Sequence, residues 1–320
     1  MSAGRAAVAM AAVMVATACA PDTVPAPPVD VSPTPPALRD EQTPPGDAGA
    51  PAPQADSGEQ QAPATAAPSP DERPALPDAV DVARADSWQE LAAMVVDAER
   101  AVREPAVRGR RLARAAHAQQ RAYRVLANRP RWRRQVIRAA PADLREAVRR
   151  NAGAATELAA LVTPQERLPA WEIVQPAPAR QLLRHYRSAA AEFGIQWPYL
   201  AAINLVETRM GRIRGTSPAG AQGPMQFMPA TWDAYGEGDV HDDGDAIRAA
   251  ARYLAAHGAP EDMRRAVWHY NHSDAYVEAI AAYADVMRSD ERAFRGYYHW
   301  QVYYVTTDGD VHLPVGYRGG

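Results

Sequence analysis

The sequence predicts a mostly α-helical protein that ends in a small β-hairpin. Three observations carry this. Between Asp86 and Met287 apolar residues recur at three- and four-residue spacing, the period of a helix face. Pro105, Pro130, Pro141, Pro178 and Pro198 each stand where a first helical turn accepts proline. Near the C-terminus the period changes to that of strands. The 320 residues carry a formal net charge of −3, which argues against a nucleic-acid-binding protein, and all the basic side chains counted with it are Arg.

Residues 1–20 read as an export signal: Arg5 is the positive start and Ala6 to Val15 an apolar run too short for a lasting membrane span. Ala16-Thr17-Ala18-Cys19 resembles a bacterial lipobox, and Cys19 is the one cysteine of the chain. The expectation is an exported, lipid-anchored envelope protein. The alternative is cleavage at an Ala-x-Ala site and release. Residues 21–85 are rich in Pro and Ala with scattered acids and almost no large apolar side chains, so they are expected to form a disordered tether.

Residues 86–163 form an Arg-rich helical segment. Ser87-Trp88-Gln89-Glu90 has the form of a capping box, and helices are expected at about 87–103, 105–127, 130–139 and 141–161. Attraction to anionic polymer or lipid headgroups, docking of a protein partner, and plain solvated helix faces are the open readings of the arginines. Residues 164–320 follow as the candidate catalytic domain, with helices expected from Pro178 to Phe193, around Glu207, and at 231–235, 246–257, 261–272 and 277–287. Asp239, His241 and Asp243 echo the start of a calcium loop, but Ala250 stands at its twelfth position, and no His/Cys/Asp set has zinc spacing, so no metal or cofactor is expected. In the hairpin, with its turn at Asp308-Gly309, Trp300, Tyr303, Tyr304 and Tyr317 are candidates for stacking on sugars or for plain packing.

The chemistry centres on Glu207. Leu200, Ile203, Glu207 and Met210 share one helical face, with Gly211 as the expected C-terminal cap. A carboxyl on an apolar face at the negative end of a helix dipole is pushed toward its neutral form, which suits a general acid. The plain alternative is a buried Glu tied to a backbone amide or to Arg209 or Arg212. The glycines that follow, Gly211, Gly215, Gly220 and Gly223, let backbone approach a ligand closely.

Glu207-Thr208 and the run from Ser217 through Gly220-Ala221-Gln222-Gly223-Pro224-Met225-Gln226-Phe227-Met228-Pro229-Ala230-Thr231 resemble the lytic murein transglycosylase pattern. Tyr253-Leu254 before Gly258, and Tyr270-Asn271 after Ala266, resemble two further motifs of that family in the same order. The Glu207 segment leans toward the membrane-bound B type, and Pro224 stands where Leu is usual. The resemblance implies a goose-type, lysozyme-like domain, peptidoglycan as substrate and Glu207 as the catalytic residue. It further implies that Ser217, Met225, Gln226, Tyr270 and Asn271 line the glycan site. The implied reaction cleaves the bond from N-acetylmuramic acid to N-acetylglucosamine and leaves 1,6-anhydro ends, with one carboxyl as acid and then base. Two alternatives stay open: a lysozyme-type hydrolase using Asp239, Asp242 or Asp243, and a non-catalytic peptidoglycan-binding envelope lipoprotein.

Overall fold

The structure is a computed structural model that describes residues 76–319. The export signal, Cys19 and most of the expected tether lie outside the described residues. The last residues of the stretch expected to be a tether are ordered instead. Asp78 caps a short helix, α1 (Ala79–Ala83), whose Val82 is buried.

Four longer helices follow: α2 (Trp88–Arg103), α3 (Gly109–Ala127), α4 (Pro130–Ala139) and α5 (Ala142–Ala160). The Ser87 hydroxyl accepts from the Glu90 amide, but the Glu90 carboxylate reaches Asp86 rather than Ser87, so the capping box closes one residue further out. Pro105 does not open α3. It sits in the turn before Arg108, and the helix begins at Gly109.

The second half contains α6 (Ala179–Glu192), α7 (Trp197–Thr208), α8 (Pro229–Tyr235), α9 (Asp243–Ala256), α10 (Met263–Tyr270), α11 (Asp274–Ser289) and α12 (Ala293–Tyr298). The last of these was not foreseen. Nor was the short antiparallel pair of β1 (Glu172–Ile173) and β2 (Ile213–Arg214). The expected hairpin is present as β3 (Val302–Thr306) and β4 (Gly309–Leu313), with Thr306 opposite Gly309. The turn is therefore Thr307-Asp308, one residue earlier than expected.

One hydrophobic core runs through both halves, from Leu91 and Leu126 through Leu200 and Ile203 to Ile280 and Tyr297. Helix α5 packs most extensively against α11, and α11 in turn against α7. The Arg150–Asp285 ion pair crosses the α5–α11 contact, and the Tyr297 hydroxyl donates to Asn151 at 2.5 Å. The Arg-rich helices thus form a wall of the same body rather than an appendage. Arg121 and Arg124 pair with Asp310 of the hairpin, while Arg129, Arg131, Arg134 and Arg138 remain exposed around α4. A second small core under the hairpin holds Trp171, Ile173, Ile213 and Tyr304. Trp300, Tyr303 and Tyr304 are buried, and the Trp300 indole donates to Gln119 at 3.0 Å. These rings pack; they are not an exposed sugar platform. No helix among the described residues is long and apolar enough to cross a membrane.

Candidate active site

Helix α7 is buried on every side rather than along one stripe. Asn204, Glu207 and Thr208 lie inside along with Leu200, Ala201, Ile203 and Val206. A helix hydrophobic all round belongs in the centre of a domain. It ends three residues before the expected glycine cap. Arg209 adopts the left-handed conformation (φ 56°) as the C-cap, and Met210 and Gly211 follow at φ 62° and 78°. Left-handed backbone is uncommon outside glycine and costs on the order of 1 kcal/mol for each such residue. The Arg209 guanidinium offsets part of that cost by donating at 2.5 Å to the Leu205 carbonyl, which also accepts from the Arg209 amide at 3.2 Å.

Glu207 is 2% exposed. Burial pushes its carboxyl up to about 8, while a hydrogen bond from Tyr276 and the charge of Arg209 pull the other way. The Tyr276 hydroxyl, from the first turn of α11, donates to Oε1 at 2.7 Å. No ion pair to Glu207 is found among the described residues. The carboxyl is therefore neutral near pH 7 and carries a transferable proton. This excludes the plain alternative of a Glu paired to Arg209 or Arg212; Arg212 instead donates to the Tyr298 carbonyl at 2.8 Å.

The Gly-rich turn is fastened directly to α7. Asn204 and Thr208 both donate to the Pro224 carbonyl, at 2.8 and 2.6 Å, and the Gly211 amide donates to the Thr208 hydroxyl at 3.0 Å. Within the turn Gln222 and Phe227 exchange backbone hydrogen bonds at 2.8 and 2.9 Å. Gly223 has φ +73°, and a Cβ there would lie 1.9 Å from the Val240 carbonyl oxygen, so this position admits glycine alone.

The residues expected to line the site are placed as follows. Met225 is buried, and its carbonyl accepts from the Tyr270 hydroxyl at 2.6 Å, which ties α10 to the turn. Gln226 has φ 54°; its amide nitrogen donates to the Gly223 carbonyl at 2.8 Å. The Gln226 Oε1 is buried and has no hydrogen-bond partner among the described residues. Asn271 is buried at the C-cap of α10. Ser217 lies at the far end of the turn, where its hydroxyl accepts from the Ala221 amide at 3.0 Å. Hydrogen bonds thus join the Glu207 helix, the Gln226 turn and the Tyr270 helix into one framework, while Ser217 braces the turn's opposite end.

Tyr276 was missed in the sequence. It stands 69 residues from Glu207, just before the start expected for its helix. Its position in phase with Ile280 and Tyr283 was the available signal, and it marks a core residue as readily as a site residue.

The acids of the following loop have local roles. Asp242, rather than Asp243 or Asp245, caps α9 by accepting from the Gly244 and Asp245 amides, and Asp239 accepts from the His241 amide at 2.8 Å. Asp243 is partly buried behind Gly211, and burial raises its carboxyl above the usual range. Among the described residues no group of His, Cys, Asp and Glu is arranged to hold a metal ion.

Residues 185–299, from within α6 to the end of α12, match the transglycosylase SLT domain family model. That segment is similar to the transglycosylase SLT domain. The match covers α7, the Gly-rich turn, Tyr270 and Tyr276, and it stops before the hairpin. Among curated proteins the chain is similar to the membrane-bound lytic murein transglycosylase F of Thiobacillus denitrificans, 38% identical over 85 residues. That stretch is 26% of this chain and 18% of the relative, so the chain matches less than a fifth of the relative's length. The relative is of F type, whereas the Glu207 segment leans toward the B type. No solved structure matches the chain. The lysozyme-like, mostly helical class expected from the sequence holds for the SLT domain.

Proposed function

We propose that the protein is a peptidoglycan lytic transglycosylase that cleaves the β-1,4 bond between N-acetylmuramic acid and N-acetylglucosamine. The observation that carries this reading is the neutral, buried Glu207 carboxyl, accepting from Tyr276 on one oxygen and so free to hold its proton on the other. The SLT domain match and the name of the curated relative support the substrate class.

In this reading Glu207 donates its proton to the glycosidic oxygen as the bond to muramoyl C1 breaks, and N-acetylglucosamine departs with a free 4-hydroxyl. The Glu207 carboxylate then takes the proton of the muramoyl C6 hydroxyl, whose oxygen bonds to C1 and closes the 1,6-anhydro ring. The carboxyl ends protonated, and no water is consumed. A low-dielectric site suits this cycle, because the ionised form of Glu207 is needed only transiently. The unpartnered Oε1 of Gln226 supplies an acceptor for an acetamido N–H of the substrate. Met225, Tyr270 and Asn271 complete that wall, and Ser217 holds the turn in shape.

Digestion of purified sacculi with wild type and Glu207→Gln, with fragments weighed, tests the proposal. Wild type should release anhydro-muramoyl ends, and the variant should be at least about a hundredfold slower. Reducing muramic ends would instead identify a hydrolase. Full turnover by Glu207→Gln would remove this residue from the chemistry. The same reading places the protein in the cell envelope, held by a lipid on Cys19, so Cys19→Ala should move it from the membrane to the soluble fraction.

A further inference from the structure

Arg209 has a second face. Besides capping α7 it lines a cavity of about 300 Å³ where the Arg-rich helices, α11 and the hairpin meet. Tyr123, Tyr283 and Trp300 supply aromatic walls, and Arg124 and Asp310 stand among the other lining residues. A volume of this size lies at the lower end of small-molecule sites, which commonly pair apolar walls with a few fixed polar groups.

The charges in the wall do not cancel. Its ionic residues are Arg124, Arg209 and Asp310, and Arg121 reaches Asp310 from outside the wall, so the local charge is positive. Asp310 is already engaged, by Arg124 at 2.7 and 2.9 Å and by Arg121 at 2.8 Å. Arg209 is 7% exposed and makes no ion pair to a carboxylate among the described residues; its hydrogen bonds go to the carbonyls of Leu205 and Val206. A guanidinium buried to that degree without a counter-ion is costly, and the left-handed backbone that carries it adds to the cost. A fold that keeps such a group beside a cavity holds a preorganised place for an anion.

We propose that this cavity binds a small monocarboxylate with an aromatic or apolar body, its carboxylate seated on Arg209 and its body against Tyr123, Tyr283 and Trp300. The aromatic walls suit an organic body better than a compact, strongly hydrated anion such as phosphate. The cavity is built partly from α3 and α5, which lie outside the SLT match, so it belongs to this chain's own arrangement of helices. The proposal does not rest on the reaction assigned to Glu207.

Benzoate is a suitable probe, with benzamide as its neutral isostere and inorganic phosphate as the compact anion, each titrated calorimetrically into the full chain. Benzoate should bind at least tenfold more tightly than benzamide or phosphate, and Arg209→Gln should weaken benzoate by about ten- to a hundredfold, the value of a charge-assisted hydrogen bond. Ala159→Trp keeps Arg209 but fills the cavity, and should abolish binding even if Arg209→Gln folds poorly. Equal binding of benzoate and benzamide, tighter binding of phosphate, undiminished binding by the folded Arg209→Gln or by Ala159→Trp, or no heat with benzoate at about 10 mM would each overturn the proposal.

Discussion

Among the described residues two glutamates are buried, and they are held in opposite ways. Glu99, on α2, is 0% exposed. It is ion-paired to Arg103 one turn on, accepts from the Tyr123 hydroxyl, and accepts from the Asn151 amide at 3.0 Å. Glu207 is nearly as deep but has a phenol, Tyr276, where Glu99 has a guanidinium, a phenol and an amide. A carboxyl group tied by an ion pair and two further hydrogen bonds becomes part of the scaffold. One left with a single neutral donor in a dry site keeps its proton and can give it away. Burial alone does not separate a structural acid from a reactive one; the count and charge of its donors do.

The comparison can be broken most sharply by activity. Glu207→Gln should lose about a hundredfold or more in sacculus digestion, while folded Glu99→Gln should retain wild-type turnover. Wild-type activity should hold below about pH 8 and fall as pH rises through about 8, because the acid form is the working one. Next in size is stability. Glu99→Ala removes one of the two carboxylates paired with Arg103, Asp290 being the other, and the acceptor of the buried Tyr123 and Asn151 donors, and should cost about 3–5 kcal/mol by chemical denaturation.

Glu207→Gln should move stability the other way. The folded carboxyl sits at about 8 against an ordinary 4.5, so the folded state holds a proton that the unfolded chain releases across that interval. Wild-type stability is then lost progressively as pH rises from about 4.5 to about 8, and the Gln variant should gain on the order of 4 kcal/mol at pH 8 and almost nothing at pH 4. The smallest effect belongs to Tyr276→Phe. It should cost about 1 kcal/mol, and it should move the upper pH limb of activity upward, since the lost hydrogen bond was lowering Glu207.

Local signals made most of the helices legible. The prolines at 130, 141 and 178, the Ser87 cap and the periodic apolar residues placed α2, α4, α5 and α6 to within a residue or two. Glu207 and the Gly-rich turn were legible because close-packed backbone leaves a glycine pattern, as the Gly223–Val240 approach makes plain. What escaped depended on distant contacts. The end of α7 at Arg209 is fixed by a side chain reaching back to Leu205 and by Thr208 gripping Pro224, neither of which a glycine-based rule can see. Tyr276 escaped because its partner is 69 residues away. The aromatic hairpin was ambiguous because the same rings serve packing or sugars, and here Gln119 and the Trp171–Tyr304 edge contact claim them for packing.

The continuous interior shared by α5, α11 and α7 bears on anyone wishing to shorten the protein. The family match, which begins at residue 185, invites a cut between α5 and α6. Such a cut would strip the backing from the helix that presents Tyr276 and leave its greasy flank facing water. The trimmed piece would be expected to clump rather than to digest anything, so the minimal working unit is larger than the homologous one.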